Sequence, residues 1–510
     1  NASRLCDPTP HRIPHAFAVK FHTNPSEREI RGTVVMTAQG QTAQKDIFNR
    51  LMQKSLQTIG IIVLSAVMVA QASLPSFAQQ RGNSPRLIRD AEIEELMRRY
   101  LNPIFKVAGV PRGAVNVYLI DDSRINAFVA GGQRIFIHTG LIEQANTPNE
   151  IIGVLAHETA HVAEGHLARL GVQLDRASTQ AIIGTLLGAA AAVGAAQAGA
   201  ASSGGASGAL VLGGAEFAKR NLLTYVRAQE AAADEGALRY LNASEQSGRG
   251  MLELFQKLYN QSIASLQYVN PYAISHPLPL QRIRVLENRV RASKHYDKKD
   301  KDYLVFRHKM AQAKLAGFTR SAQSVYSSYP ASNQSIPAQY ARAIAAYRVG
   351  DLQTAIPAID RLIAQIPKNP YFWELKGQAL LEKGFPADAV APLRQALKLY
   401  PKSGLISILL AQALLAANTK KSARTALSVL SKAQRFEGES GSLHLLKARA
   451  HGILGDYARA ELSTAESAML RGDKKLAKRK AEGAMRRAKS GSTVWIRASD
   501  ILNALKKKKS

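Results

Sequence analysis

At 510 residues the chain has room for two to four domains, each with its own core, and its hydrophobic fraction of 46% is ordinary for a globular protein. A formal net charge of +30 points to an anionic neighbour, either a membrane surface or nucleic acid, or to strong solvation alone. Cys6 is the only cysteine, which excludes a disulfide within the chain.

Residues 1–53 are polar and without sustained periodicity, and they read as a disordered or non-native extension; Met36 and Met52 are both candidate starts. An apolar run from Ile59 to Ala70 follows, flanked by Lys45, Arg50 and Lys54. It is too short for a bilayer, which takes about twenty residues, and fits a secretory core instead. Residues 54–78 are therefore predicted to be a signal peptide cut after Ala78, with Ala70-Gln71-Ala72 as a second small-x-small site; an uncleaved anchor is the alternative.

A first folded domain is expected over 79–300. It opens on a helical pattern from Pro85 to Phe105, carried by Ile88, Ile93, Leu96, Met97, Tyr100 and Leu101. Val115–Ile120 reads as a strand. A hairpin follows, with arms Asn126–Val129 and Arg134–Ile137 and a turn at Gly131-Gly132. Beside a metal helix the edge of such a sheet can pair with an extended substrate backbone, although a purely structural hairpin fits equally well.

The stretch Ile151–His161 then carries H-E-x-x-H as His157, Glu158 and His161. On a helix, positions four apart share a face, so two imidazoles can meet one metal ion while Glu158 reaches its water as general base. Taken alone the pattern also fits an amphipathic helix with two histidines at i and i+4. His166 lies five residues past His161, and Glu164 occupies the place of the glycine in the longer three-histidine motif. His166 therefore reads as a helix-end residue rather than a third ligand. Residues 181–215 are Ala/Gly-rich and without charge, which suggests a lid or loop over the site rather than a membrane span.

A second acidic pair, Glu230 and Asp234, sits four apart on a strongly helical stretch. Glu230 can complete a His-His-Glu site, and Asp234 can accept the remaining N–H of a ligand histidine. Two solvated acids, one paired with Arg227, would explain the same residues. Together, H-E-x-x-H and the later E-x-x-x-D resemble the gluzincin metallopeptidases and, within them, the family of the CAAX prenyl proteases. The likeness extends to Asn126-Ala127-Phe128 and to His276-Pro277-Leu278-Pro279 with Arg282, and spans 87–289. It implies one Zn²⁺ ion held by His157, His161 and Glu230, with Glu158 as base and Asp234 supporting a ligand histidine. It also implies that His276 stands near the metal. There it would either fill the fourth zinc position in a latent state or stabilise the tetrahedral intermediate; a loop histidine bonded to backbone is the plainer reading. Pro277 and Pro279 are expected to hold this stretch extended.

Residues 301–337 read as a helical connector, and a tetratricopeptide repeat domain is expected over 338–510. Gly350 and Gly384 are 34 residues apart, as are Pro367 and Pro401, and Trp373, Gly377, Ala389 and Ala396 fall on the same register. Four units are expected, with turns at Gly455-Asp456 and Gly472-Asp473 and a cap from Val494 to Leu505. From Thr419 onward there are 22 Lys/Arg against 8 Asp/Glu, so the basic excess concentrates here.

The fold class is thus mainly α: a gluzincin-type α+β metallopeptidase domain with a small sheet, followed by an α-solenoid of tetratricopeptide repeats. An exported chain of this kind resembles the family of periplasmic β-barrel assembly-enhancing proteases of Gram-negative bacteria. The resemblance implies a zinc endopeptidase that degrades misassembled outer-membrane proteins, with repeats that hold clients or the β-barrel assembly machinery. Peripheral membrane contact is compatible with the charge. No nucleic-acid partner is expected, because no recognition motif accompanies the basic residues. The rival class is a repeat-based periplasmic chaperone or scaffold whose metal domain is not catalytic; a retained base beside the ligands argues against it.

Overall fold

The computed structural model describes residues 86–179, 204–264 and 271–507, apart from positions 112, 132, 133 and 167. The expected extension and signal peptide lie outside the described residues. The metallopeptidase and repeat regions share one compact unit, Asn83–Ser510.

The helical reading from Pro85 needs correction, since a two-residue strand β1 (Leu87–Ile88) precedes the helix Ala91–Val107. Asp90 sets the boundary. Its backbone is extended, and its carboxylate accepts the N–H groups of Glu92 and Ile93, which starts the helix one residue later. That leaves Leu87 and Ile88 to pair antiparallel with Ile120 and Leu119 of β2 (Asn116–Ile120).

The hairpin forms as read, from β3 (Ala127–Ala130) and β4 (Arg134–His138), with Phe128 opposite Phe136. β4 also runs parallel to β2, giving the order β1-β2-β4-β3. Ile135 and Ile137 are buried, while Phe136 stacks between Tyr118 and Phe128 on the other face, at 5.3 and 5.2 Å. β3 is the sheet edge, and it packs against the helix Pro148–Ala163.

That helix carries the H-E-x-x-H residues and is buried from Pro148 to Ala160. It crosses Arg249–Ala264 closely enough to require glycine: a Cβ on Gly153 would stand 2.4 Å from the Cβ of Met251. Part of the Ala/Gly-rich segment also departs from the loop reading. From Gly204 the chain is helical without a break to Ala243, 40 residues, while 180–203 lie outside the described residues. Alanine is the best helix former, and here it outweighs the roughly 1 kcal/mol that each glycine costs. No helix among the described residues is long and apolar enough to cross a membrane.

Helix pairs stack through the rest of the chain: Ile336–Arg348 with Leu352–Gln365, Pro370–Glu382 with Pro386–Leu399, and Gly404–Ala416 with Lys420–Ala433. Gly441–Leu454 with Tyr457–Leu470 and Lys474–Arg487 with Thr493–Lys507 follow. Within the expected connector, Asp302–Thr319 and Ala322–Ser328 pack on Ile336–Arg348 through Ala313, Val325, Ala341 and Ala345. The turn residue of the 34-residue register is left-handed at Gly350 (φ 93°) and Gly384 (φ 88°). At the third position Asn418 takes the same region, φ 50°. Asparagine is among the few side chains that tolerate it, which is why a third unit exists without its glycine.

Candidate metal centre

Thr147 starts the site helix by accepting the Glu150 N–H, while Glu150 Oε1 accepts the N–H of Asn146. Two turns on, His157 and His161 share a face, and their Nε2 atoms converge to 3.0 Å. The long helix Gly204–Ala243 brings Glu230 to the same point: its Oε2 lies 3.4 Å from His157 Nε2 and its Oε1 3.4 Å from His161 Nε2. His276 supplies a fourth donor, with Nδ1 3.1 Å from both oxygens of Glu230 and 3.4 Å from His157 Nε2.

One donor atom from each of these four residues lies within 4.8 Å of the other three. Three imidazole nitrogens and a carboxylate oxygen, lone pairs turned toward one another, suit a divalent cation far better than they suit each other. Burial pushes the Glu230 carboxyl up, but hydrogen bonds from His157, His161 and His276 hold it well below the usual carboxylate range. Burial takes His161 down to about 4; burial also lowers His157, but hydrogen bonds to Asp234 and Glu230 raise it to about 9.

Glu158 is fully buried one step round the helix, and burial raises its pKa. Neither of its oxygens closes a full hydrogen bond among the described residues. His276 Nε2 stands 3.4 Å from Oε1, and the Val129 N–H of β3 also approaches. Val129 lies between the hydrogen-bonded pairs of the hairpin, so its N–H and C=O point away from β4 toward this edge. An unpaired buried carboxylate costs free energy unless something else takes its lone pairs, which is what a base poised for a water requires.

Asp234 lies 2.9 Å from His157 Nδ1, the position from which it can fix that tautomer. It is held in turn by Arg282, through Nε–Oδ2 at 2.6 Å and Nη2–Oδ1 at 2.8 Å, and Arg282 Nη1 also reaches Glu230 Oε2 at 3.0 Å. Burial raises the Asp234 carboxyl, but hydrogen bonds from Arg282 and His157 bring it below its ordinary value. Arg282 was legible in sequence only as part of a motif. The clamp joins residues 48 apart, and nothing local announces it. Arg227, the alternative partner, is not needed.

The backbone reading around His276 is partly corrected. Pro271–Ser275 is a short helix, and the His276 N–H continues it by bonding to Tyr272 O at 2.7 Å. Only 277–279 lack regular structure, because a proline disfavours the helical region in the residue before it. The helix end, not an extended loop, aims the imidazole, which stacks on Tyr272 with ring centroids 4.6 Å apart. His166 sits at the end of the site helix as read, but its ring touches His161: Nδ1 is 2.9 Å from His161 Nδ1.

The donor cluster lies within a region that sequence comparison matches. Residues 88–290 match Peptidase family M48, and 340–404 and 380–450 match tetratricopeptide repeat families. The chain therefore carries an M48 peptidase domain followed by tetratricopeptide repeats. Among curated relatives, the beta-barrel assembly-enhancing protease of Yersinia pestis is 26% identical over 330 residues, 62% of this chain and 64% of that one. Its namesake from Escherichia coli strain K12 is 23% identical over 325 residues, with the same coverage. The matched part thus spans 64% of the length of these relatives.

Proposed function

We propose that this chain is an exported zinc endopeptidase that degrades misassembled outer-membrane proteins in the periplasm. In this reading its repeats dock clients or the β-barrel assembly machinery. The observation that carries the reading is the convergence of His157, His161, Glu230 and His276 beside a buried Glu158 whose oxygens close no full hydrogen bond among the described residues. The relatives named beta-barrel assembly-enhancing protease support the choice of client.

His157, His161 and Glu230 would hold the ion, with Asp234 fixing the His157 ring and Arg282 fixing Asp234. Zinc at such a site supplies Lewis-acid activation of a water and of the scissile carbonyl. Glu158 takes the proton of the attacking water and returns it to the leaving amine; burial raises its pKa above the ordinary carboxylate value, which strengthens it as a base. The free edge of β3 offers its outward N–H and C=O groups to an extended substrate backbone. His276 acts as a fourth ligand in a latent state, a role that suits its Nδ1 contacts with Glu230 and His157.

Metal analysis of the purified chain, alongside cleavage of a casein-type substrate, tests this. One zinc per chain is expected. Glu158→Gln should keep the metal and lose about 10²- to 10⁴-fold in rate. Wild-type cleavage by Glu158→Gln would end the mechanism, and a metal-free, inactive wild-type chain would end the reading.

A further inference from the structure

The two ligand histidines are supported differently. His157 turns its Nδ1 to a carboxylate, Asp234, whereas His161 turns its Nδ1 to a second imidazole, that of His166, at 2.9 Å. From this we infer that His166 is a positioning residue of the metal centre. As a neutral ring it holds His161 in the tautomer that presents Nε2 to the ion, and Glu164 holds His166 in turn. The inference rests on the zinc site proposed above.

Local backbone geometry accounts for the placement. The helix Pro148–Ala163 ends on Glu164, and Gly165 follows in the left-handed region at φ 63°, with its N–H bonded to Val162 O at 3.2 Å. In a helix end of this kind the residue after the left-handed position folds back over the third-last helical residue. Here those two residues are His166 and His161. Glycine permits the reversal without strain, and the reversal lays one ring edge-on to the other, centroids 4.9 Å apart and planes at 77°.

Proton bookkeeping then leaves one arrangement. Two ring nitrogens in hydrogen-bond contact share a single proton. A metal-ligating Nε2 carries none, so neutral His161 keeps its proton on Nδ1 and donates it to His166 Nδ1. The proton of His166 therefore sits on its own Nε2, 3.2 Å from Glu164 Oε2. The other oxygen of Glu164 lies 3.2 Å from Arg239 Nη2, on the helix that also carries Glu230. The relay thus runs Glu164 to His166 to His161, and His166 is 4% exposed, so solvent does not readily replace it. The wrong tautomer of His161 would put its proton on the ligating nitrogen and oppose metal binding.

The test is chelator competition for zinc on the full chain, with thermal melting as the fold control. His166→Leu, which fills space but accepts no hydrogen bond, should weaken zinc retention about 10- to 100-fold. His166→Asn, whose amide oxygen can still accept from His161 Nδ1, should recover most of that loss. In the zinc-loaded wild type, nitrogen NMR of labelled imidazoles should show His166 protonated on Nε2 and His161 on Nδ1. In kinetics, His166→Leu should lower kcat with KM little changed, because substrate does not touch it. A folded His166→Leu that holds zinc like the wild type overturns the inference, as does His166 protonated on Nδ1. Should His166→Leu fail to fold, the tautomers in the wild type decide. A wild-type chain that takes up no zinc would fail the functional reading itself, a separate outcome.

Discussion

Two buried clusters in this molecule gather carboxylates around one basic side chain, and they balance the remaining charge in different ways. At the metal centre Glu230 and Asp234 close on Arg282, with imidazoles interleaved and Glu158 beside His276. Where the peptidase domain meets the repeats, Lys314 lies 2.8 Å from Asp90, 3.5 Å from Glu92 and 3.8 Å from Glu374. The difference lies in the neighbours. Histidines let the first cluster accept a divalent ion. The second offers Tyr340, whose hydroxyl donates to Glu92 at 3.0 Å, and no imidazole contacts Lys314 or its carboxylates among the described residues. It balances with protons instead: burial raises the Glu374 pKa to about 8 and raises that of Glu92 as well. Similar kinds of buried charge therefore build a candidate metal site in one place and a seam between domains in the other.

Arg282→Met should be the most damaging change, because it strips Asp234 and Glu230 together of a buried partner. Breaking a buried ion pair costs about 3–5 kcal/mol, and zinc retention should fall with it. A melting point within a degree of wild type would show that the clamp is dispensable. Lys314→Met should cost less, since Glu92 and Glu374 can take up protons where Asp234, bonded to a histidine, gains nothing by doing so. The gap between the two variants should widen at pH 6 and narrow at pH 9. Equal losses at both pH values would refute the comparison. The seam also bears on truncation: cutting away the repeats removes Tyr340 and Glu374 from Glu92 and Lys314, so the deletion alters the peptidase domain's own buried charges.

The pH dependence of the seam has a definite sign. Glu374 faces Lys314, Asp90, Glu92 and Glu94, and its folded pKa lies above its ordinary value of 4.5. Its contribution to stability is therefore fully present below about 4.5 and is lost as pH rises through about 8. Glu374→Gln keeps the shape and removes the ionisation. It should melt like the wild type near pH 5 and several degrees higher near pH 9, as expected for about 1–2 kcal/mol in a domain of this size. A variant whose melting follows the wild-type pH profile would mean that Glu374 is not the titrating group.

What was legible in the sequence was whatever has a short period. His157, Glu158 and His161 at helical spacing, Glu230 and Asp234 at i and i+4, the alternation of the hairpin and the 34-residue register all repeat within one element or one unit. The Arg282 clamp, the Lys314 seam and the parallel pairing of β2 with β4 depend on contacts across tens to hundreds of residues, which no local pattern encodes. β1 was missed because Ile88 fits a helical period as well as a strand, and only the Asp90 cap separates them. His166 was readable in part: Gly165 after the helix is the signal for a left-handed reversal, and the reversal folds His166 back onto His161.

The smallest expected effect is also the one that sharpens the comparison most. The seam is closed by its own lysine, whereas the candidate metal centre gathers four protein donors, one more than the proposed catalytic zinc site would leave room for. Three protein ligands and an open position define a working site, while four make a closed one. His276 Nδ1 lies among the donors, and its Nε2 points at Glu158, so in the proposed zinc site one ring would block both the open position and the base. The end of the short helix Pro271–Ser275 sets its aim, and Pro277 stops that helix from continuing. If His276 is the latent-state ligand, His276→Ala should keep its zinc on His157, His161 and Glu230 and cleave an unfolded model protein a few-fold faster. That gain amounts to less than about 1.4 kcal/mol, since a factor of ten corresponds to that much. If the imidazole instead stabilises the tetrahedral intermediate, the rate should fall by about a hundredfold, near 2.7 kcal/mol. Measured on zinc-loaded protein of equal metal content, the sign of the change separates the two roles, and a fall would remove the closed-site reading of this cluster.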